Sequence, residues 1–157
     1  MFSDIVGFTE LTDLHGDDAA VELVERHEAI VAATLPQTGR IIKELGDGLL
    51  MWFDDAAVAI RTAIELQRRF ASAVDCGLPL WVRIGVHWGS PRRRGDDIIG
   101  RDVNLASRIA ELAGPGEVLC SAAAVQAAGR LADVSFGSLG SVFVKGVATP
   151  VPLFRAQ

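Results

Sequence analysis

"GRIIKELGDGLLMWF", Gly39 to Phe53, is the stretch whose reading decides the fold. Two apolar runs flank Gly46-Asp47-Gly48, and Asp-Gly between such runs is a strong short-range signal of a β-hairpin. Toward the N-terminus, Glu10 to Thr34 reads as a helix. Asp17 and Asp18 suit a first turn, Val21, Val24 and Ile30 recur at helical spacing, and Pro36 and Gly39 end it. "FSDIVGFT", Phe2 to Thr9, precedes it and begins as a strand. Toward the C-terminus, Asp55 to Val74 reads as a second long helix with Ala59, Ala63, Leu66 and Phe70 on one side. After Pro79, "LWVRIGVHWG" reads as a strand. The order strand, helix, strand, strand, helix, strand is that of a ferredoxin-like βαββαβ sandwich, an α/β (α+β) fold. In it the first and third strands are central neighbours, so Asp4 and Asp47 converge at one end of the sheet.

The second half is less regular. "SPRRRGDDIIG" reads as a loop leading into a short strand, and Arg101 to Leu112 as a helix stopped by Gly114-Pro115-Gly116. "EVLCS" reads as a strand, Ala122 to Leu131 as a short helix, and the tail from Val134 to Ala156 as a β-rich extension. No repeat or linker divides the 157 residues, so the expectation is one domain spanning 1–157. Only three residues precede Asp4, fewer than a buried strand of about five or six needs. A preceding segment is therefore expected, and whether it holds a regulatory or membrane module is left open.

Half of the residues are hydrophobic, which excludes a disordered chain, and the formal charge of −5 argues against a nucleic-acid-coating protein. Cys76 and Cys120 show no metal-ligand spacing and read as reduced thiols of a cytoplasmic protein. No run approaches the ~20 apolar residues of a membrane span, and no secretory leader pattern opens the chain. His15, His27 and His87 match no common zinc pattern and read as ordinary core or surface residues. Trp52, Trp81 and Trp88 read as core or interface residues.

A carboxylate at the end of an apolar strand gains nothing from packing and is costly to bury alone. Asp4 and Asp47 could each be a cap or a turn former; together they form a site for hard divalent cations, which take one or two carboxylates plus substrate phosphates. Asn104 and Arg108, four apart, share a helix face with Ser107 and Glu111 nearby. That is either a solvated stripe or a grip for ribose and phosphate. Lys43 interrupts a strand beside Glu44, where a surface lysine and an inward-facing one are both open readings.

"FSDIVGFT", "IIKELGDGLLMWF" and "DDIIGRDVNLASRI", in this order and with the closing "VKGV" and "PVPLF", resemble the catalytic domain of class III nucleotidyl cyclases from Phe2 to about Arg155. The resemblance implies that Asp4, Asp47 and the Ile5 carbonyl hold two divalent cations, Mg²⁺ or Mn²⁺. It implies that Lys43 and Asp97 read the purine, and that Asn104 and Arg108 position the ribose and stabilise the transition state. Lys145 would contact the terminal phosphates, while Gly7, Phe8 and Thr9 turn the backbone over the phosphates, where helix N-terminal N–H groups bind them. It further implies a head-to-tail homodimer with shared active sites.

Base choice then follows from hydrogen-bond complementarity. Asp97 accepts from the adenine N6 amino group and Lys43 donates toward N1; guanine reverses both contacts. ATP is thus the expected substrate, cyclised by in-line attack of the ribose 3′-oxygen on the α-phosphorus, with the general base left open. Departures from the pattern are a short loop from Gly89 to Asp97, which leaves the roles of Arg92, Arg93 and Arg94 unassigned, and Ile98-Ile99 where aromatic residues are common. The rival readings are a guanylate cyclase, an inactive nucleotide-binding or dimerising module, and a different two-metal phosphoryl-transfer enzyme. The last lacks support because no GGDEF-like turn is present.

Overall fold

The computed structural model describes residues 1–73 and 77–157. The strands are β1 (Phe2–Ile5), β2 (Gly39–Leu45), β3 (Gly48–Phe53), β4 (Val82–Val86), β5 (Arg92–Arg94), β6 (Asp97–Ile99), β7 (Val118–Ser121), β8 (Phe136–Val142) and β9 (Val151–Ala156). The helices are α1 (Phe8–His15), α2 (Asp17–Thr34), α3 (Ala56–Ser72), α4 (Arg101–Leu112) and α5 (Ala122–Ala128). Seven strands form one sheet in the order β2-β3-β1-β4-β7-β9-β8, with only β4 and β7 parallel. The first four reproduce the expected ferredoxin-like order, with β1 between β3 and β4. The β-rich tail extends the same sheet.

Alternation along the central strands sorts side chains between two layers. Ile5, Leu49, Met51, Val82, Ile84 and Val86 point into the larger core, where Leu23 and Val31 of α2 and Ile60, Ala63 and Leu66 of α3 cover them. Fully burying one such side chain is worth about 1.5–3 kcal/mol. Phe2 and Leu50 point the other way, against Ala106 and Ala110 of α4. By the same alternation Asp4 and Arg83 lie on the α4 side. Gly85 lets α4 approach: a Cβ there would stand 2.3 Å from the Ala110 backbone nitrogen. Any side chain at this position would push the helix off the sheet.

Four expected elements are corrected. The helix expected from Glu10 to Thr34 is two helices, broken at Gly16 (φ +84°), because Asp17 and Asp18 begin a new first turn immediately after that glycine. The arginine run is not a loop. It is strand β5, paired with β6 in a separate ribbon with Arg94 opposite Asp97. The strand expected over 80–89 is confined to Val82–Val86, and the helix expected to Leu131 stops at Ala128 before Gly129. The second long helix starts at its Asp55 cap, whose side chain accepts from the Val58 N–H at 2.9 Å. Its expected end at Val74 and the Cys76 thiol lie outside the described residues. Cys120 is buried, and burial pushes its thiol up to about 12, so it is inert. Trp52 and Trp88 pack against the cores, whereas Trp81 is 54% exposed and belongs to neither.

Candidate active site

Strand register brings the two acidic residues together. Asp4 pairs with Gly48 on one side, the residue after Asp47, and with Arg83 on the other. Asp47 lies in the turn between β2 and β3, half-buried. Burial and the nearby Asp4 charge raise its carboxyl above the usual carboxylate range, with Arg83 only partly opposing this. Arg83 Nε donates to Asp4 Oδ2 at 2.8 Å, its Nη2 donates to the same oxygen, and Nη1 donates to the Glu111 carbonyl at 3.2 Å. The guanidinium thus hydrogen-bonds one carboxylate and only partly offsets the charge of the other.

The donor set fits hard cations. Two converging carboxylates, one of them destabilised as an anion, gain from a divalent charge between them. Among the described residues no three His, Cys, Asp or Glu side chains cluster into a complete cage. A cation here would therefore need the Ile5 carbonyl, water and phosphate oxygens to complete its shell. Gly7 (φ +73°) turns the chain from β1 into α1 without a side-chain cap, so the first N–H groups of α1 stay open around Phe8 and Thr9.

The purine-reading pair expected from the resemblance meets across elements distant in sequence. Lys43 Nζ on β2 donates to Asp97 Oδ2 on β6 at 2.7 Å, and the Ile98 N–H donates to Asp97 Oδ1 at 2.7 Å. The lysine hydrogen bond, foremost, holds the Asp97 carboxyl below its ordinary range. Ile98 anchors this ribbon, since it is buried beside Phe2 and Leu50.

Asn104, Arg108 and Lys145 line one groove of about 590 Å³ with Ser107 and Glu111. Leu105 and Ile109 of α4 pack on Val144, which seats the following lysine over the same helix face. Arg108 Nη1 donates to both carboxylate oxygens of Glu111, at 2.7 and 2.8 Å. A second hollow of about 220 Å³, lined by Asp4 and Arg83, meets the first at Ser107 and Glu111. One chain therefore places Asp4 and the Asn104, Arg108 and Lys145 grip in adjoining hollows, while Asp47, Lys43 and Asp97 line neither. Arg92, Arg93 and Arg94 are exposed on β5. Arg83 is the residue that the motifs leave out. Its sequence signal is an arginine inside an apolar strand, and only the register puts it beside Asp4.

Comparison with known proteins supplies the class of protein to which this sheet order belongs. The chain belongs to the adenylate and guanylate cyclase catalytic domain family, whose model matches residues 1–154. It is similar to an adenylate cyclase of Streptomyces griseus, 37% identical over 123 residues, covering 78% of this chain and 30% of that protein. A putative adenylate cyclase 3 of Rhizobium meliloti is 30% identical over 157 residues, covering 97% of this chain and 27% of that protein. The chain thus spans about a third or less of these relatives. Among solved structures it resembles the adenylyl cyclase CyaB from P. aeruginosa, with a TM-score of 0.80 at 27% identity, covering 99% of this chain and 91% of that one. The described helices include none long and apolar enough to cross a membrane.

Proposed function

We propose that this domain is an adenylate cyclase, converting ATP to 3′,5′-cyclic AMP and pyrophosphate. The observation that carries the choice of ATP is the Lys43–Asp97 pair, a donor and an acceptor 2.7 Å apart at a ribbon edge. Adenine satisfies both through N1 and the N6 amino group; guanine satisfies neither. The ribose 3′-oxygen attacks the α-phosphorus in line, the bond from that phosphorus to the bridging oxygen breaks, and the 3′-hydroxyl proton leaves. Divalent cations held by Asp4, Asp47 and the Ile5 carbonyl would lower the cost of the 3′-alkoxide and of the pyrophosphate charge. Asn104 orients the ribose, Arg108 exchanges Glu111 for the α-phosphate, and Lys145 meets the terminal phosphates. The open N–H groups at Gly7, Phe8 and Thr9 receive phosphate oxygens. Catalysis of this kind is positioning and electrostatics, with no covalent nucleophile.

The two hollows support a two-fold homodimer in which the acidic corner of one protomer faces the grip of its partner, giving two equivalent shared sites. The test is an assay of the chain with ATP and GTP as competing substrates, in Mn²⁺ and then Mg²⁺. Cyclic AMP and pyrophosphate are the expected products. Nucleotide binding without pyrophosphate release would instead make the domain an inactive module, and cyclic GMP as the main product would overturn the account of base choice.

A further inference from the structure

Beneath the grip lies a row of polar groups that the reaction does not use. His87, the residue after β4, is 9% exposed at its side chain. Its Nδ1 is 2.8 Å from Ser121 Oγ, and its Nε2 is 3.5 Å from Asp102 Oδ1. The other Asp102 oxygen accepts the Ser90 N–H at 2.8 Å. Ser121 Oγ also accepts the Ala124 N–H at 3.2 Å, capping α5. A Cβ at Gly89 would come within 2.3 Å of Asp102 Oδ2, so any side chain there would displace this carboxylate.

These contacts select one tautomer. The carboxylate decides: a neutral ring with its proton on Nε2 faces Asp102 with N–H, and Nδ1 then accepts the Ser121 O–H. The opposite tautomer would set a nitrogen lone pair against Asp102. Burial lowers the His87 pKa, Asp102 opposing, which favours this neutral form. Ser121 is no nucleophile here, since it is 1% exposed and already caps a helix.

We propose that His87 and Asp102 are positioning residues for the cyclase reaction, tying the first turn of α4 and the entry to the β5–β6 ribbon to the end of β4. Asp102 lies two residues before Asn104 on α4, and Ser90 opens the segment that leads to Asp97 on β6. One carboxylate therefore holds both the ribose-orienting amide and the purine-reading acid in place. The other polar tie between α4 and β4, from Arg83 to the Glu111 carbonyl, lies at the opposite end of the helix. Groups that hold a working side chain in this way typically affect rate about 10–100-fold in metal sites, and a similar scale applies here.

The inference rests on the adenylate cyclase reading, so its test has one arm that needs no activity. In the first arm, amide hydrogen exchange of Ser90 is followed in the wild-type chain and in Asp102→Ala. Faster exchange at Ser90 and along Arg92–Ile99 in the variant is expected; unchanged exchange overturns the proposal. In the second arm, kcat and KM for ATP are measured for His87→Ala, Asp102→Ala and the double variant. Each single change is expected to lower kcat about tenfold with KM moved less than about threefold, and the double variant to be no slower than the worse single. Unchanged kcat, or effects that multiply in the double variant, overturns it. Should His87→Ala fail to fold, His87→Gln is compared with His87→Asn, because glutamine places its N–H where Nε2 stood and asparagine where Nδ1 stood. His87→Gln is expected to keep most of the rate and His87→Asn to lose it; equal rates overturn the proposal. If the wild-type chain makes no cyclic nucleotide, the adenylate cyclase reading fails, while the exchange arm still decides the contact.

Discussion

The acidic corner and the cationic grip are built on opposite plans. Asp4 and Asp47 stand on neighbouring segments of one sheet, fixed by backbone hydrogen bonds and backed by the main core. Lys43, Asp97, Asn104, Arg108 and Lys145 come from three separate elements and a turn at the periphery. The corner carries an unbalanced charge, since one arginine serves two carboxylates. Each of the grip's two best-defined pairs, Lys43–Asp97 and Arg108–Glu111, is internally neutral and about a third or more exposed. Exposed ion pairs contribute little to stability. Under the proposed function, such pairs would exchange for a nucleotide at little cost. The corner, by contrast, keeps two carboxylates against a single arginine.

The sharpest break of this contrast is Asp47→Asn. Activity should fall on the order of 10²–10³-fold, the scale of removing one transition-state-stabilising group, while the chelator-treated chain becomes no less stable. The sign follows from linkage. The Asp47 carboxyl titrates higher in the folded state, so its ionised form destabilises the fold, and that penalty grows as pH rises past the ordinary value of 3.8 through the raised one. Thermal unfolding in chelator at pH 7 checks this, and a clear drop in Tm for Asp47→Asn would refute it.

Mixing Asp47→Asn chains with Asn104→Ala chains tests whether the two plans meet across a dimer. Random pairing gives heterodimers with one intact site each, so about a quarter of wild-type activity should return. No recovery would place both halves of a site within one chain.

A smaller change is expected from Lys43→Glu with Asp97→Cys, which inverts the donor–acceptor pattern of the grip. The preference for ATP over GTP should shift by roughly 10²-fold toward GTP, read as the ratio of kcat/KM values. An unmoved ratio would show that another group reads the base.

The mildest test concerns His27, which lies beneath the acidic corner, 2.9 Å from Ser3 Oγ and stacked at a tilt on Phe70. Burial lowers its pKa from 6.5 to about 4. Its contribution to stability is whole above pH 6.5 and is lost as pH falls toward 4, up to roughly 3 kcal/mol. In His27→Gln the unfolding free energy measured by urea titration should fall less between pH 6.5 and 4.5 than in the wild type. Parallel curves would assign the acid sensitivity to other groups.

The ferredoxin-like core was legible because its signals are local: Asp-Gly between apolar runs, helical apolar spacing from Ala59 to Phe70, and an apolar strand run after Pro79. The break at Gly16 was not read, although Asp17 and Asp18 mark a second helix start, because apolar spacing continues on both sides of it. The β5 strand was not, because Arg92–Arg94 carry no apolar alternation and are held by a two-stranded pairing rather than a core. Each grip residue stands out as a residue type in an unusual place. Their meeting does not, because 54 residues separate Lys43 from Asp97.

By itself, the sequence determined the strand and helix order of the ferredoxin-like core, the turn that carries Asp47 and the helix face shared by Asn104 and Arg108. Local backbone preference and periodicity specify each of these without reference to distant residues. Only the tertiary structure decided that Arg83 neutralises Asp4, that Lys145 overlooks α4, and that His87 reaches Asp102. Those contacts depend on sheet register and on how closely α4 settles over Gly85, and packing sets such distances only once the whole chain has folded.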